Sequence, residues 1–284
     1  MPDQNDLMTW AGVRMPGIIY GTAWKKAHTA DLVEKAIREG FRGIDTACQP
    51  KHYDEALVGV ALARSKALGI QREDLFLQTK FTPLSGQDPA QVPYDKSAPV
   101  DVQVAQSFEA SRQNLKTDYV DTLILHSPLS PRSHLMRAWN AMEKIHKRGG
   151  ASRLGISNVY DVAIIAALYA DADVKPAVLQ NRFYQQTGYD KTLRYWCHAH
   201  GVVYQSFWTL TANAHILNGN TVRALARKYK RTEAQIFFRC LSQTGIVPLT
   251  GTCSAQHMRE DLDIFEFELS ADDLKAVNHL LDRG

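Results

Sequence analysis

The chain has 284 residues, of which 45% are hydrophobic and 22% are charged, and its formal net charge is +3. This composition is typical of a soluble globular protein with a large core, and it excludes disordered, collagen-like and coiled-coil chains. We expect no nucleic-acid partner, because no run of like charge reaches five residues. The longest apolar stretch, residues 162–169, is less than half of the roughly 18 residues that a membrane span needs. The polar segment 1–6 and scattered cysteines predict a cytoplasmic protein.

Short β-branched runs alternate with helical patterns about eight times along the chain. The alternation predicts an α/β protein with a single domain over residues 1–284, a (β/α)8 TIM barrel with a short N-terminal hairpin and an extra C-terminal helix. An open, doubly wound sheet is the structural alternative. The predicted strands are Ile18–Tyr20, Gly43–Asp45, Leu75–Lys80, Val120–His126, Arg153–Ile156, Ala177–Gln180, Val202–Ser206 and Ile246–Leu249.

Helix signals fill the gaps between these strands. Residues 131–148 carry apolar side chains at helical spacing, and Gly40, Gly149 and Gly201 stand where helices should end. Ser270 begins a capping pattern that predicts the start of the last helix. Residues 82–100 are proline-rich and lack a pattern, so we expect a functional loop there that shapes the pocket.

In such a barrel the chemistry lies at the carboxyl ends of the strands. Lys80 ends an apolar strand, where an unpaired ammonium would lose its hydration, so it needs a partner. Asp45 ends another strand and could pair with it across the barrel mouth. A structural salt bridge and a catalytic pair explain these two residues equally well.

Tyr53 shifts this balance towards catalysis. A phenol has an ordinary pKa of about 10 and donates protons poorly near neutral pH unless a fixed cation lowers that pKa. Lys80 could be that cation, and His126 at the end of its own strand adds a donor or relay group at the same rim. Four such groups on the expected face predict an active site.

Several motifs in chain order then match a known family. They are Gly21-Thr22-Ala23-Trp24, the segment Gly40–Ala47, Tyr53-Asp54-Glu55, Lys80, Asp121 followed by His126-Ser127-Pro128, and Gly155-Ile156-Ser157-Asn158. In these motifs the chain resembles the aldo-keto reductases over nearly its whole length. The resemblance implies a (β/α)8 barrel that binds NADP(H) without a G-x-G-x-x-G motif, and a catalytic tetrad of Asp45, Tyr53, Lys80 and His126.

The resemblance also implies how a carbonyl would be reduced. The nicotinamide carboxamide would be held by Ser157, Asn158 and Gln180, its ring would stack on Phe207, and Trp24 with Trp208 would wall the substrate side. Hydride transfer to a carbonyl carbon would be matched by proton donation from Tyr53. Further cofactor contacts are implied for Thr22, Ala23, Trp208, Leu210, Leu249, Thr250, Gly251, Thr252, His257, Glu260 and Asp261.

Three departures from the family pattern bear on these expectations. Asp45 and Tyr53 are eight residues apart rather than the usual five, which leaves His52 as a competitor for the position beside the lysine. The stacking position is phenylalanine, Phe207, rather than tyrosine. Pro248 is not followed by the lysine that commonly binds the 2'-phosphate, and His257 stands where an arginine is usual. We therefore expect a modest preference for NADPH, with NADH also accepted, that weakens as histidine loses its charge between about pH 6 and 8.

The sequence thus predicts a carbonyl reductase acting on small aldehydes or ketones, with small aromatic aldehydes the best match by shape. A nucleotide-binding regulatory subunit on the same fold is the alternative from a different class. We expect no metal, no membrane partner and a monomer.

Overall fold

The computed structural model describes residues 6–8 and 14–282. Its centre is a closed barrel of eight parallel strands, in which each strand pairs with its neighbours in chain order. The last strand pairs with the first through Leu249 opposite Ile19 and Thr250 opposite Tyr20. This closure confirms the predicted barrel and rules out the open sheet.

The elements alternate as expected, and each predicted strand lies within two residues of its position in the structure. The strands are β1 (Asp6–Met8), β2 (Arg14–Pro16), β3 (Ile19–Gly21), β4 (Gly43–Asp45), β5 (Phe76–Phe81), β6 (Val120–Leu125), β7 (Ala151–Ser157), β8 (Val178–Arg182), β9 (Val203–Phe207) and β10 (Ile246–Thr250). The helices are α1 (Thr29–Glu39), α2 (Glu55–Ser65), α3 (Val100–Leu115), α4 (Arg132–Lys147), α5 (Val162–Asp171), α6 (Lys191–Ala199), α7 (Ala214–Leu217), α8 (Asn220–Tyr229), α9 (Glu233–Gln243), α10 (Ala255–Leu262) and α11 (Ala271–Leu281).

The helices end where the local signals place their ends. Gly40, Gly149 and Gly201 have φ values of 118°, 79° and 66°, a left-handed region that glycine enters without steric cost. The Ser270 side chain accepts a hydrogen bond from the backbone N–H of Asp273 and so caps α11, the predicted C-terminal helix. None of the helices in the described part of the chain is long and apolar enough to cross a membrane.

The barrel interior changes from apolar to polar along its axis. Strands β1 and β2 form the predicted antiparallel hairpin, and Met15 of that hairpin is fully buried among interior side chains such as Ile19 and Phe76. Above this layer lie three buried glutamines and the ion pair described below. Because side chains alternate along a strand, the residues above the apolar layer point into the barrel towards its carboxyl end.

Candidate active site

The floor of the site is an ion pair between neighbouring strands. Lys80 of β5 donates to both carboxylate oxygens of Asp45 at the end of β4, at 2.6 Å each, and to the Thr46 carbonyl at 2.9 Å. The side chains are only 1% and 4% exposed. Burial lowers the pKa of Lys80, and the Asp45 charge opposes this shift. The pairing expected from the sequence is therefore present, and it is shielded from water.

Three glutamines complete this floor. The amide nitrogens of Gln78 and Gln180 each donate to Asp45 Oδ1, at 2.7 and 3.0 Å, and each donates at 2.9 Å to the amide oxygen of Gln205. Gln205 in turn donates to Gln78 Oε1 at 3.0 Å and to Met15 Sδ at 3.3 Å. Each amide hydrogen in the network has an acceptor, which fixes the orientation of all three amides.

Sequence reasoning identified Gln180 but missed Gln78 and Gln205. A signal was available, because each is the one amide side chain in its strand and is flanked by an apolar or aromatic residue on its N-terminal side. Gln78 also stands two residues before Lys80, on the same face of β5.

The Tyr53 ring lies over this pair. Lys80 Nζ is 5.2 Å from the ring centroid of Tyr53, and the ring of His126 meets that of Tyr53 edge to face at 6.1 Å. Burial, with the Asp45 charge as a second cause, raises the pKa of Tyr53 above its ordinary value. The expected lowering of this pKa by Lys80 was wrong for the structure, because Asp45 already neutralises the lysine and the phenol is desolvated.

His126 is partly buried at the side of the tyrosine. Its Nδ1 is 2.6 Å from the hydroxyl oxygen of Thr82, and its carbonyl accepts from the Asn158 amide at 2.8 Å. Burial and the nearby charge of Lys80 hold the pKa of His126 well below its ordinary value, so the ring is neutral at neutral pH. A neutral imidazole presents one N–H donor rather than two.

A turn accommodates the extra residues between Asp45 and Tyr53. The backbone N–H groups of His52 and Tyr53 both donate to the Gln49 carbonyl, at 3.1 and 3.0 Å. The His52 ring packs on Trp24, with centroids 3.9 Å apart, whereas the ring that meets Lys80 is that of Tyr53. The competition between these two residues is thus decided by packing.

The loop after β5 supports this turn from outside. Gln49 donates to the Gly86 carbonyl at 2.6 Å, and Gln87 donates to the Cys48 carbonyl at 2.9 Å. No residue of 82–99 is among the described residues that line the main cavity. The expectation that this loop shapes the pocket directly is therefore corrected: it holds the segment that carries Tyr53.

These groups face one large cavity of about 1040 Å³ at the carboxyl end of the barrel. Most of the predicted site residues line it. They are Ala23, Trp24, Asp45, Tyr53, His126, Asn158, Gln180, Phe207, Trp208, Leu210, Leu249, Thr250, Gly251, Thr252, His257, Glu260 and Asp261. Thr22, Lys80 and Ser157 are at most 1% exposed and lie behind the wall.

Comparison with known proteins agrees with this architecture. The Aldo/keto reductase family model matches residues 12–213. The chain belongs to the aldo/keto reductase family. It is 28% identical over 273 residues to a glyoxal reductase of Bacillus subtilis, covering 96% of this chain and 89% of that protein. It is 32% identical over 255 residues to an aldo-keto reductase of Mycobacterium tuberculosis, covering 89% of this chain and 83% of that protein.

Solved aldo-keto reductases share the fold. An aldo/keto reductase from Brucella melitensis superposes with a TM-score of 0.81 and 27% identity, over 97% of this chain and 98% of that one. A silkworm aldo-keto reductase, solved in complex with NADPH, superposes with a TM-score of 0.80 and 24% identity, over 96% and 86% of the two chains.

In this aldo/keto reductase, two parts of the chain make polar contacts with the segment after β10. Thr250 donates to the buried carboxyl of Asp261 at 2.7 Å. Burial, which this bond only partly offsets, raises the pKa of Asp261 to about 7. The ammonium of Lys25 donates to the Gly251 carbonyl and lies 3.7 Å from Cys253 Sγ. Sequence reasoning did not identify Lys25 as a site residue, although it directly follows Trp24. A cation therefore reaches this segment from the other end of the chain.

The rim of this reductase also stores backbone strain. Trp24, Asn158 and Trp208 have φ values of 65°, 57° and 57°, and all three line the cavity. Asparagine tolerates this left-handed region, but tryptophan rarely adopts it. Strained residues of this kind cluster at functional sites.

Within residues 6–8 and 14–282, no three His, Cys, Asp or Glu side chains come together as a metal site.

Proposed function

We propose that this aldo/keto reductase reduces small aldehydes or ketones to alcohols, with NADP(H) as its cofactor. The observation that carries the proposal is that Tyr53, His126 and the buried Asp45–Lys80 pair meet at one open cavity. A phenol, a neutral imidazole and a shielded ion pair can together donate a proton to a carbonyl oxygen. A cytoplasmic location and a monomeric state remain predictions.

The residues of the cavity fit a nicotinamide dinucleotide. The volume of the cavity, about 1040 Å³, lies at the upper end of the ~300–1,000 Å³ found for ligand pockets. Asn158 and Gln180 line it beside Phe207, whose ring is partly exposed. Both amide hydrogens of Gln180 are taken by Asp45 and Gln205, so its oxygen is the atom that would accept from a carboxamide. When bound, the reduced cofactor supplies the hydride.

The protein's own residues supply the proton. Because its pKa is raised, Tyr53 is protonated at neutral pH and keeps its proton until an alkoxide develops beside it. The proton then passes from the phenol to the substrate oxygen, which leaves a phenolate whose ring centroid lies 5.2 Å from the ammonium of Lys80. We assign the His126 proton to Nε2, with Nδ1 accepting from Thr82, so that Nε2–H can orient the carbonyl.

We infer that two side chains near Gly251 determine the choice between NADPH and NADH. Lys25 reaches the Gly251 carbonyl, and His257 lines the same cavity at the start of α10. We propose that Lys25 compensates for the lysine absent after Pro248 and favours the 2'-phosphate of NADPH over NADH.

A direct assay tests the reaction class. NADPH oxidation followed with a panel of aldehydes should show carbonyl-dependent turnover. Tight NADPH binding without turnover on any substrate would favour the regulatory subunit instead. Failure to bind either nucleotide would contradict the proposal.

A further inference from the structure

Arg182 is a cation in the cavity wall that the proposed chemistry leaves unused. It is the last residue of β8, paired in register with Phe207, and it lines the same cavity as Tyr53. It stands two residues beyond Gln180 on the same strand face, about 6.5 Å closer to the cavity mouth. The position is therefore one layer above the floor, where the far end of a bound molecule would lie.

The guanidinium of Arg182 has no acidic partner within residues 14–282. The Asp45 carboxylate accepts from Lys80, Gln78 and Gln180 instead. The other cation in the wall, Lys25, donates to the Gly251 carbonyl. Among the described residues, Arg182 alone of these cations keeps its side-chain donors without a protein acceptor.

Aromatic rings hold this guanidinium in place. Its central carbon lies 4.2 Å from the ring centroid of Trp208 and 5.4 Å from that of Tyr184. Stacking occupies the faces of a guanidinium and leaves the in-plane N–H groups directed outward. The backbone of Trp208, the nearer of the two rings, is left-handed with φ 57°. A preorganised fork of donors in a cavity wall matches the geometry of a carboxylate or phosphate.

We propose that Arg182 is an anion-binding residue of this site, which recognises an oxyanion on a molecule bound in the cavity. Two sources share this chemistry: a carboxylate on the far end of the carbonyl substrate, and a phosphate of the dinucleotide. The carboxylate source rests on the proposed reductase activity. It would make oxo acids with a remote carboxylate better substrates than their neutral analogues.

Matched substrates and direct binding separate the two sources. Arg182→Met keeps the aliphatic stem against Trp208 and removes the charge. Arg227→Met, on the exposed face of α8 away from the cavity, is the control for loss of one positive charge. We would measure kcat/KM for 4-formylbenzoate against 4-methylbenzaldehyde, and for 4-oxobutanoate against butanal. Tryptophan fluorescence would give the Kd values of NADPH and NADH.

If Arg182 binds a carboxylate of the substrate, Arg182→Met should lower the ratio of kcat/KM for the anionic substrate to that for the neutral one by about ten- to a hundredfold. The Kd values of NADPH and NADH should then stay unchanged. If Arg182 binds a phosphate of the dinucleotide, both Kd values should rise by a similar factor, and the ratio of kcat/KM between the anionic and the neutral substrate should stay unchanged. Arg182→Lys should recover part of either loss, because it restores charge without the fork. Either pattern supports the anion site.

The anion-binding role of Arg182 would be overturned if Arg182→Met changed neither the kcat/KM ratios nor the Kd values. Equal losses in Arg227→Met would overturn it as well. If the wild-type protein reduces no carbonyl, the proposed function fails separately. In that case weaker binding of 4-formylbenzoate or inorganic pyrophosphate to Arg182→Met than to wild type would still support the anion site. Equal binding to the two proteins would contradict it.

Discussion

The floor and the rim of the cavity differ in how their polar groups are satisfied. On the floor, Asp45, Lys80 and the three glutamines form a buried network in which each amide hydrogen has a partner. At the rim, Trp24 and Trp208 are 57% and 46% exposed and hold left-handed backbones. A closed hydrogen-bond network fixes the orientation of its side chains, whereas donors without a partner and exposed rings remain available to contact a ligand. From this difference we expect the chemistry at the floor and the selection of ligands at the rim.

The largest effect should come from the acid that bridges the two regions. Tyr53→Phe should lower carbonyl reduction by about a thousandfold or more, because it removes a proton needed only in the transition state. The Kd of NADPH should stay within about twofold of wild type. His52→Gln is the matched control, since its ring packs on Trp24, and it should keep most activity. If Tyr53→Phe kept its activity and His52→Gln lost it, His52 would be the proton donor.

Breaking the floor should also destabilise the protein. Lys80→Met leaves the Asp45 carboxylate buried without its counter-ion, which costs about 3–5 kcal/mol in comparable buried pairs. Chemical denaturation at neutral pH should show this loss together with lost turnover. Unchanged stability with wild-type turnover would mean that the pair is neither structural nor catalytic.

Asp261 is buried like the floor, but within residues 6–8 and 14–282 it forms no ion pair. Its effect on stability should therefore depend on pH. Its pKa rises from an ordinary 3.8 to about 7, and the folded state therefore binds its proton more tightly than the unfolded state does. The free energy of unfolding should fall as pH rises from about 4 to 7, by up to about 4 kcal/mol from this group. Asp261→Asn, which can still accept from Thr250, should remove this fall and be the more stable protein at pH 8. A wild-type curve parallel to that of Asp261→Asn would refute the assignment.

The smallest expected effect concerns cofactor choice at the rim. Lys25→Met should lower the preference for NADPH over NADH by about ten- to a hundredfold, since a charged hydrogen bond contributes about 1.5–3 kcal/mol. Lys26→Met, at the exposed neighbouring position, is the control. If Lys25→Met weakened both nucleotides equally, the lysine would contact a group that they share.

Local patterns were enough to predict the barrel and the residues that end its strands. Short β-branched runs and glycine at helix ends are properties of neighbouring residues, so β4, β5 and β6 could be placed within two residues of their positions. In a parallel barrel, strand ends share one face. That rule brought Asp45, Lys80 and His126 together without knowledge of any contact.

The tertiary structure decided the charges and the directions of these side chains. Lys25 meets Gly251 across 226 positions of the chain, and the Gln78 amide is oriented by Gln205 across 127. The raised pKa of Tyr53 depends on burial within the folded protein, and the contact of Arg182 with Trp208 joins residues 26 positions apart. A sequence pattern records periodicity along the chain. Desolvation and hydrogen-bond direction depend on which distant groups share a cavity, and packing alone determines that.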